Sequence, residues 1–164
     1  MTVRDVIKDA ESLTMIFTAE FDATVERVWQ VVADARQLER WWGPPEWPAT
    51  FTRHDMVAGG ESHYNMNGPD GERMHGWWAI TVVEEPHRLV FDDGFADDDG
   101  QPVDSMPVIG TELTVEPMPR GGTLLTVRSQ FSSLEAMEEL AAMGMEEGMT
   151  SAMAQIDAIL AESQ

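Results

Sequence analysis

Leu38-Glu-Arg-Trp-Trp-Gly-Pro44, Asp55-Met-Val-Ala-Gly-Gly60 and Asn67-Gly-Pro-Asp-Gly71 follow one another in the chain and decide its fold. The first segment ends a helical pattern with two tryptophans, and Gly43-Pro44-Pro45 stops that helix. The glycine pair of the second segment precedes a strand, and the third segment is a turn. Together the three segments predict a sheet wrapped around a pocket.

The sequence before this stretch predicts one strand and a pair of short helices. Residues 13–21 are rich in β-branched and aromatic side chains, which is typical of a strand. Asp22 or Thr24 can cap the next helix, which should falter near Asp34 and resume as far as Trp42. One face of this helix carries the apolar residues Val25, Val28, Trp29 and Val32.

The sequence after it predicts six strands and then helix. The strands are expected at residues 49–55, 61–66, 72–84, 88–92, 110–117 and 123–131, with a hairpin turn at residues 119–122. Residues 93–107 are acidic and contain glycine, which indicates a mobile loop. Ser132 and Glu135 form a capping box for the C-terminal helix, and Gly144 and Gly148 should divide it into a short and a longer part.

This order predicts an α+β fold, because an antiparallel sheet of this size has one face that must be covered. The C-terminal helix is the only predicted element long enough to cover it. A curved sheet around one helix leaves a space between them, and such spaces commonly hold ligands.

Composition limits the classes of function. A chain of 164 residues with 43% hydrophobic content fits one folded domain. A net charge of −20 would repel nucleic acid and anionic membrane surfaces. The sequence has no cysteine, no apolar run long enough for membrane insertion and no secretory signal, so a cytoplasmic protein is expected.

The same motifs resemble a known family. The helix pair, the three opening segments, residues 86–90 and Gly121-Gly122-Thr123 occur in the order seen in the START-like, or SRPBCC, helix-grip superfamily. Within it the chain is similar to the family named after the activator of the heat-shock-protein-90 ATPase. The resemblance covers about residues 13–161 of a single domain spanning residues 1–164. It implies a curved antiparallel sheet of six to seven strands around a long C-terminal helix, with the short helix pair after the first strand.

The resemblance also implies which residues face the central cavity. Strand alternation places Tyr64 and Met66 on one face of their strand, and by resemblance that face is the inner one. The predicted ligand-binding residues are Trp41, Trp42, Tyr64, Met66, Trp78, Met145, Met149 and Met153.

Each of these residues has a second, structural interpretation. The two rings at Trp41 and Trp42 can fix the helix end to the sheet, and the methionines can be ordinary helix core. A buried Tyr64 hydroxyl needs a partner, which either a ligand or a neighbouring side chain could supply. Trp77 and Trp78 must point to opposite faces, and alternation alone leaves open which one faces inward.

No spacing selects a catalytic or metal site. Histidines 54, 63, 75 and 87 lack metal-ligand spacing, and the acidic segment 97–100 lacks the oxygen ligands of a calcium loop. We therefore predict no metal and no cofactor. Tyr64, His54, His75 and Arg88 are acid–base candidates by residue type only, and Arg88 is better explained as an ion-pair partner at a strand start.

Three functions remain. The first is binding of a small apolar ligand, such as a lipid, polyketide or aromatic molecule, without catalysis. The second is a cyclase or dehydratase that uses Tyr64 and a histidine, which requires two titratable side chains within about 4 Å of each other across a pocket. The third is a co-chaperone-like or acidic interaction module. A homodimer is compatible with the sequence, although no motif specifies one.

Overall fold

The α+β prediction is confirmed by the computed structural model, which describes residues 3–162. These residues form eight strands and five helices. The strands are β1 Val3–Asp9, β2 Thr14–Phe21, β3 Ala49–His54, β4 Glu61–Asn67, β5 Arg73–Glu84, β6 Arg88–Ala96, β7 Ile109–Pro117 and β8 Thr123–Gln130. The helices are α1 Val25–Ala33, α2 Ala35–Trp42, α3 Leu134–Ala142, α4 Met145–Met153 and α5 Ile156–Leu160.

All eight strands belong to one antiparallel sheet with the order β1-β2-β8-β7-β6-β5-β4-β3. The predicted count of six to seven strands is one too low at best, because β1 was not foreseen. Four of its seven residues, Val-Arg-Asp-Val-Ile-Lys-Asp, are charged, which is unusual for a strand. The segment forms a strand by pairing with β2, for example with Ile7 opposite Ile16. The helix pair therefore follows the second strand.

Side-chain alternation directs one face of the sheet toward the helices. Phe17, Val127, Leu113 and Leu89 stand opposite one another on four neighbouring strands, and none of the four is exposed to solvent. Burying an apolar side chain of this size stabilises the folded state by about 1.5–3 kcal/mol. This row is the centre of the core, and the cavity described below lies to one side of it.

The helix pair forms as its sequence predicts. Thr24 caps α1 by accepting a hydrogen bond from the Arg27 amide, and all four predicted face residues are buried. Asp34 ends α1 and caps α2, since its side chain accepts from the Arg36 amide. The Trp41 indole donates to the Val31 carbonyl at 2.8 Å, which binds the two helices together and fixes α2 over β3.

Strand β6 is longer than predicted, because residues 93–96 belong to the strand and not to the following loop. The long strand β5 provides their partners, with Asp93 opposite Trp78 and Phe95 opposite Gly76. The Trp77 indole also donates to the Phe95 carbonyl at 2.9 Å. The two aspartates at 92 and 93 concealed this part of the strand, since acidic residues are uncommon in strands.

The C-terminal helix is divided into three parts, not two. Ser133, and not the predicted Ser132, caps α3 by accepting from the Ala136 amide. Gly144 separates α3 from α4 with a φ of 88°, a left-handed conformation that favours glycine. Within residues 3–162, no helix has the length and apolar character needed to cross a membrane.

The end of this C-terminal segment is tied to the helix pair. The Gln155 side chain donates to the Gly43 carbonyl at 2.7 Å, and Arg27 donates to the Ile159 carbonyl at 2.9 Å. Ile156 and Ile159 are fully or almost fully buried. These contacts hold α5 against α1 and α2, so the segment must cross the inner side of the sheet to reach them.

Candidate functional site

A cavity of about 330 Å³ lies between the inner face of the sheet and helices α2, α3 and α4. The sheet contributes Tyr64, Met66, Met74, Asp93, Phe95 and Ile109. The end of α2 and the loop after it contribute Trp42, Pro44 and Trp47. The C-terminal segment contributes Leu140, Met143, Gly144, Met145, Gly148 and Met149. The wall is mainly apolar, and Tyr64 and Asp93 are its two titratable residues.

The cavity brings together five of the eight residues predicted to bind a ligand, namely Trp42, Tyr64, Met66, Met145 and Met149. The other three are packed in the core outside the lining. Trp41 and Met153 have no solvent-exposed area, and Trp78 is 1% exposed. Trp41 instead joins α2 to α1, as described above. Whether any of the eight contacts a ligand remains a prediction.

Tyr64 and Asp93 form the polar part of the cavity wall. The Tyr64 hydroxyl donates a hydrogen bond to Asp93 Oδ1 at 2.8 Å. Within residues 3–162, this is the only hydrogen bond to the Asp93 carboxyl group, and no arginine, lysine or histidine forms an ion pair with it. Asp93 therefore keeps acceptor capacity on the side that borders the cavity.

Gly76 makes this hydrogen bond possible. Tyr64 is on β4 and Asp93 on β6, with β5 between them, and Gly76 is the residue of β5 directly opposite Tyr64. A Cβ atom at Gly76 would stand 2.3 Å from Tyr64 Cζ and 2.4 Å from its hydroxyl oxygen. Because glycine has no side chain, the Tyr64 ring can lie across β5 and reach the third strand.

The surroundings shift the pKa values of both groups. Desolvation raises the pKa of Asp93 from 3.8 to about 7, although the hydrogen bond from Tyr64 acts in the opposite direction. Burial, and next the charge of Asp93, raises the pKa of Tyr64 well above 10.0. Asp93 is therefore close to half ionised near neutral pH, and Tyr64 remains a hydrogen-bond donor.

An aromatic cluster supports the wall from behind. Trp78 stacks on Phe91 at a centroid distance of 3.8 Å and contacts Trp42 edge-on at 5.0 Å. Phe51 stacks on the Tyr64 ring at 5.0 Å and also meets Trp78 edge-on. Trp78 is therefore the inward tryptophan of its pair, and its role is to fix the rings that border the cavity.

The other acid–base candidates do not reach the cavity. His54 is held by Ser62 Oγ at 2.7 Å and by the Val32 carbonyl at 3.1 Å, and burial lowers its pKa. His75 lies 3.7 Å from Asp98 on the other face of the sheet.

Arg88 pairs with Glu112 at 2.6 Å, which confirms its interpretation as an ion-pair residue. Tyr64 thus meets a carboxyl group and not the histidine that the sequence suggested.

The helical wall is formed by residues that adapt or leave space. Met145 and Met149 are partly buried, and Met143 is 51% exposed at the cavity edge. At Gly144 and Gly148, a Cβ atom would have no other atom within 4 Å. The middle of the C-terminal segment therefore does not fill the space beneath it.

The part of the chain that the structure describes contains no cluster of side chains suited to bind a metal ion. No group of three or more histidine, cysteine, aspartate or glutamate side chains lies close enough there to hold a metal ion. Among the described residues that line the cavity, Asp93 supplies a carboxyl group and Tyr64 a hydroxyl group, and both can form hydrogen bonds and exchange protons.

Comparison with known proteins identifies the family. Residues 22–161 match the family described as Activator of Hsp90 ATPase homolog 1-like protein, and the chain belongs to this family. A protein from Arthrobacter aurescens, solved by NMR, is 52% identical with a TM-score of 0.93, over 99% of this chain and 94% of that one. Protein Ms6760 from Mycobacterium smegmatis is 47% identical with a TM-score of 0.90, over 99% of both chains. No protein of curated function matches.

We expect Gly76→Ala to destabilise the fold by about 1–3 kcal/mol, because the added methyl group overlaps the Tyr64 ring and forces it to move. Urea denaturation measures this change. Gly110→Ala is the matched control, since its nearest atom would be at 3.7 Å, and it should stay within about 0.5 kcal/mol of the wild type. Equal stability of the two variants would contradict the placement of the Tyr64 ring over β5.

The raised pKa of Asp93 predicts a loss of stability as the pH rises from about 4 to about 7. In this range the folded protein keeps a proton on Asp93 that the unfolded chain has released, so raising the pH favours unfolding. Below this range both states hold the proton, and above it neither does.

Asp93→Asn isolates this effect from the other titrating groups. The free energy of unfolding of the wild type, relative to that of Asp93→Asn, should fall across this range by up to about 1.4 kcal/mol per pH unit and be constant above pH 8. Urea denaturation of both proteins between pH 4 and 9 measures it. Parallel pH profiles would show that Asp93 is not desolvated.

Proposed function

We propose that this protein binds a small apolar ligand in the cavity between its sheet and the C-terminal helices. The observation that carries this proposal is a preformed space of about 330 Å³ whose mainly apolar wall contains two adjoining polar groups, Tyr64 and Asp93. Ligand sites of proteins combine these features: a concave apolar surface and a few polar groups that orient the bound molecule.

The volume favours a compact molecule. It is at the lower end of the range of roughly 300–1,000 Å³ that ligand pockets occupy, so a small aromatic or short polyketide-like molecule fits better than a long-chain lipid. The methionines of α4 adapt to ligands of different shape. Met143, exposed at the edge of the cavity, lies where a ligand would enter.

Filling part of the cavity with a larger side chain should weaken binding. We expect Gly148→Leu to weaken binding of the neutral fluorophore N-phenyl-1-naphthylamine by about tenfold or more, since the new side chain starts from a position with no atom within 4 Å. The variant should fold at least as well as the wild type, because glycine in a helix interior costs about 1 kcal/mol. A fluorescence titration measures the affinity.

Gly110→Leu is the matched control, because it introduces the same side chain on the outer face of the sheet, away from the cavity. Its affinity for the fluorophore should equal that of the wild type. If both variants bind as the wild type does, the fluorophore does not occupy this cavity. If the wild type binds neither this probe nor other compact apolar molecules, the proposed function is wrong.

A second candidate function is acid–base catalysis on the bound molecule, and one observation favours it. Tyr64 and Asp93 are two titratable groups 2.8 Å apart, which is within the distance set out from the sequence, although they lie side by side on one wall and not across the pocket, and aspartate stands in place of histidine. A carboxylate with a pKa of about 7 is suited to serve as a general base near neutral pH. The Tyr64 hydroxyl has one proton, so it would donate a hydrogen bond to a carbonyl oxygen of the substrate only after turning away from Asp93.

This alternative predicts exchange of α-protons. In D₂O, the protein should accelerate deuterium incorporation beside the carbonyl group of 4-phenylbutan-2-one, which ¹H NMR follows directly. Asp93→Asn should reduce the accelerated rate by roughly 10²-fold or more, because general-base catalysis contributes about that much. An identical rate with the wild type and with Asp93→Asn would exclude Asp93 as the base.

Two further expectations remain proposals. The family takes its description from an activator of the Hsp90 ATPase, which suggests a protein partner. Among residues 3–162, the exposed large apolar side chains are Ile7 on β1, Leu134 on α3, and Val57, Val108 and Met143 between the strands and helices. These separate sequence positions specify neither a docking surface nor a homodimer contact. The geometry therefore supports the cavity more strongly as the functional site.

A further inference from the structure

We propose that the ligand carries a protonated amine, which binds between the Asp93 carboxylate and the aromatic rings of the cavity wall. The inference rests on the proposed function and adds the chemical class of the ligand: a compact apolar group with a primary ammonium group. Three independent features of the site support it.

The first feature is the incomplete set of partners of Asp93. Its carboxyl group accepts one hydrogen bond, from Tyr64, and among residues 3–162 no cation neutralises it. Asp93 is only partly exposed, and a carboxylate that has lost part of its hydration is disfavoured unless it is paired and hydrogen-bonded. An ammonium group in the cavity would supply both a positive charge and N–H donors, which the protein does not provide.

The second feature is the aromatic lining around this carboxyl group. Trp42, Trp47, Tyr64 and Phe95 all border the cavity. Ring faces attract cations, with tryptophan the strongest, and aromatic walls recur in sites that recognise ammonium groups. The same rings provide apolar contact area for the rest of the ligand.

The third feature is the charge of the whole protein. With 30 acidic and 10 basic residues, the net charge is −20, and such a field attracts cations and disfavours anions. An anionic ligand would also meet Asp93 inside the cavity with no basic residue in the lining. Among ligands of equal apolar size, the site therefore favours a cation.

The pKa of Asp93 gives this recognition a definite pH dependence. A nearby positive charge favours the ionised carboxylate, so an ammonium ligand should lower the pKa of Asp93 from about 7 and displace its proton when it binds at lower pH.

No other ionisable group opposes this effect from within the cavity. Tyr64 is the other titratable residue of the lining. On α4, Glu146 pairs with Lys8 at 2.7 Å and Glu147 is exposed to solvent. On the sheet, His75 and Asp92 lie on the outer face. The linked proton should therefore come from Asp93.

Three ligands of equal apolar size test the inference: 3-phenylpropylammonium, 3-phenylpropan-1-ol and 3-phenylpropanoate, titrated into the wild-type protein by calorimetry at pH 8. The ammonium compound should bind about tenfold or more tightly than the alcohol, because a hydrogen bond between two charged groups is stronger than one to a neutral donor. The carboxylate compound should bind most weakly.

Asp93→Asn should bring the affinities of the ammonium compound and the alcohol to within about threefold of each other. Asp92→Asn is the matched control, since it removes the same charge from the neighbouring, exposed residue on the outer face of β6. It should leave the preference for the ammonium compound unchanged. Loss of the preference in both variants would mean that only the overall charge matters and would overturn the inference.

A measurement on the wild type alone keeps the test independent of the folding of any variant. At pH 6.5, calorimetry in buffers of different ionisation enthalpy should detect release of a fraction of a proton when the ammonium compound binds, and none for the alcohol. Absence of proton release would overturn the inference.

Failure of the inference and failure of the proposed function give different results. If the alcohol binds in competition with N-phenyl-1-naphthylamine and the ammonium compound has no advantage, the cavity is a ligand site but not an amine site. If neither compound nor the fluorophore binds, the proposed function itself fails, and the inference fails with it.

Discussion

The C-terminal segment packs into the core at α3 and again from Ala152 onward, whereas no residue from 141 to 151 is fully buried, and the site depends on this difference. Met137 and Leu140 of α3 are buried, and α5 is fixed by Ile156, Ile159 and the hydrogen bonds from Arg27 and Gln155. Between them, α4 presents glycine and flexible methionine side chains toward the sheet. Because both ends are fixed, the middle cannot sink onto the sheet to fill the space, and the cavity remains.

The cavity in turn determines the chemistry of Asp93. A carboxyl group on the outer face of the sheet would be hydrated, as Asp92 is exposed one residue earlier. On the inner face Asp93 is only partly exposed, and within residues 3–162 its carboxyl group receives one donor, Tyr64, which reaches it because Gly76 leaves room across β5. Holding a poorly paired carboxyl group inside the protein lowers stability near neutral pH, and buried groups with displaced pKa values are common at functional sites. Ligand binding and acid–base catalysis both use this feature.

Much of the fold could be predicted from sequence because its signals are local. The valines and Trp29 of α1 have helical spacing, and Gly43-Pro44-Pro45 ends α2. Strand alternation places Tyr64 and Met66 on one face, which the family resemblance identified as the inner one. The partner of Tyr64 could not be predicted, because the sequence around Asp93 is typical of an acidic loop. Asp93 lies in a strand because it pairs with β5, and this pairing depends on residues distant in the sequence. One sequence signal did point to this contact: Gly76 stands inside a strand beside two tryptophans, and a glycine there indicates the close approach of another group. Which of Trp77 and Trp78 faces inward depended on strand register, which the sequence did not determine.

The central claim is that the C-terminal helices exclude water from the wall around Asp93 well enough to leave its carboxyl group desolvated beside an open apolar space. The most direct test is the pKa of this one group, measured by ¹³C NMR titration of the Asp93 carboxyl carbon in the ligand-free protein, with Asp93→Asn to assign the resonance. A midpoint near pH 7 is the predicted result. A midpoint near 4, the ordinary value for a hydrated aspartate, would contradict the claim and with it the interpretation of the cavity as a ligand site.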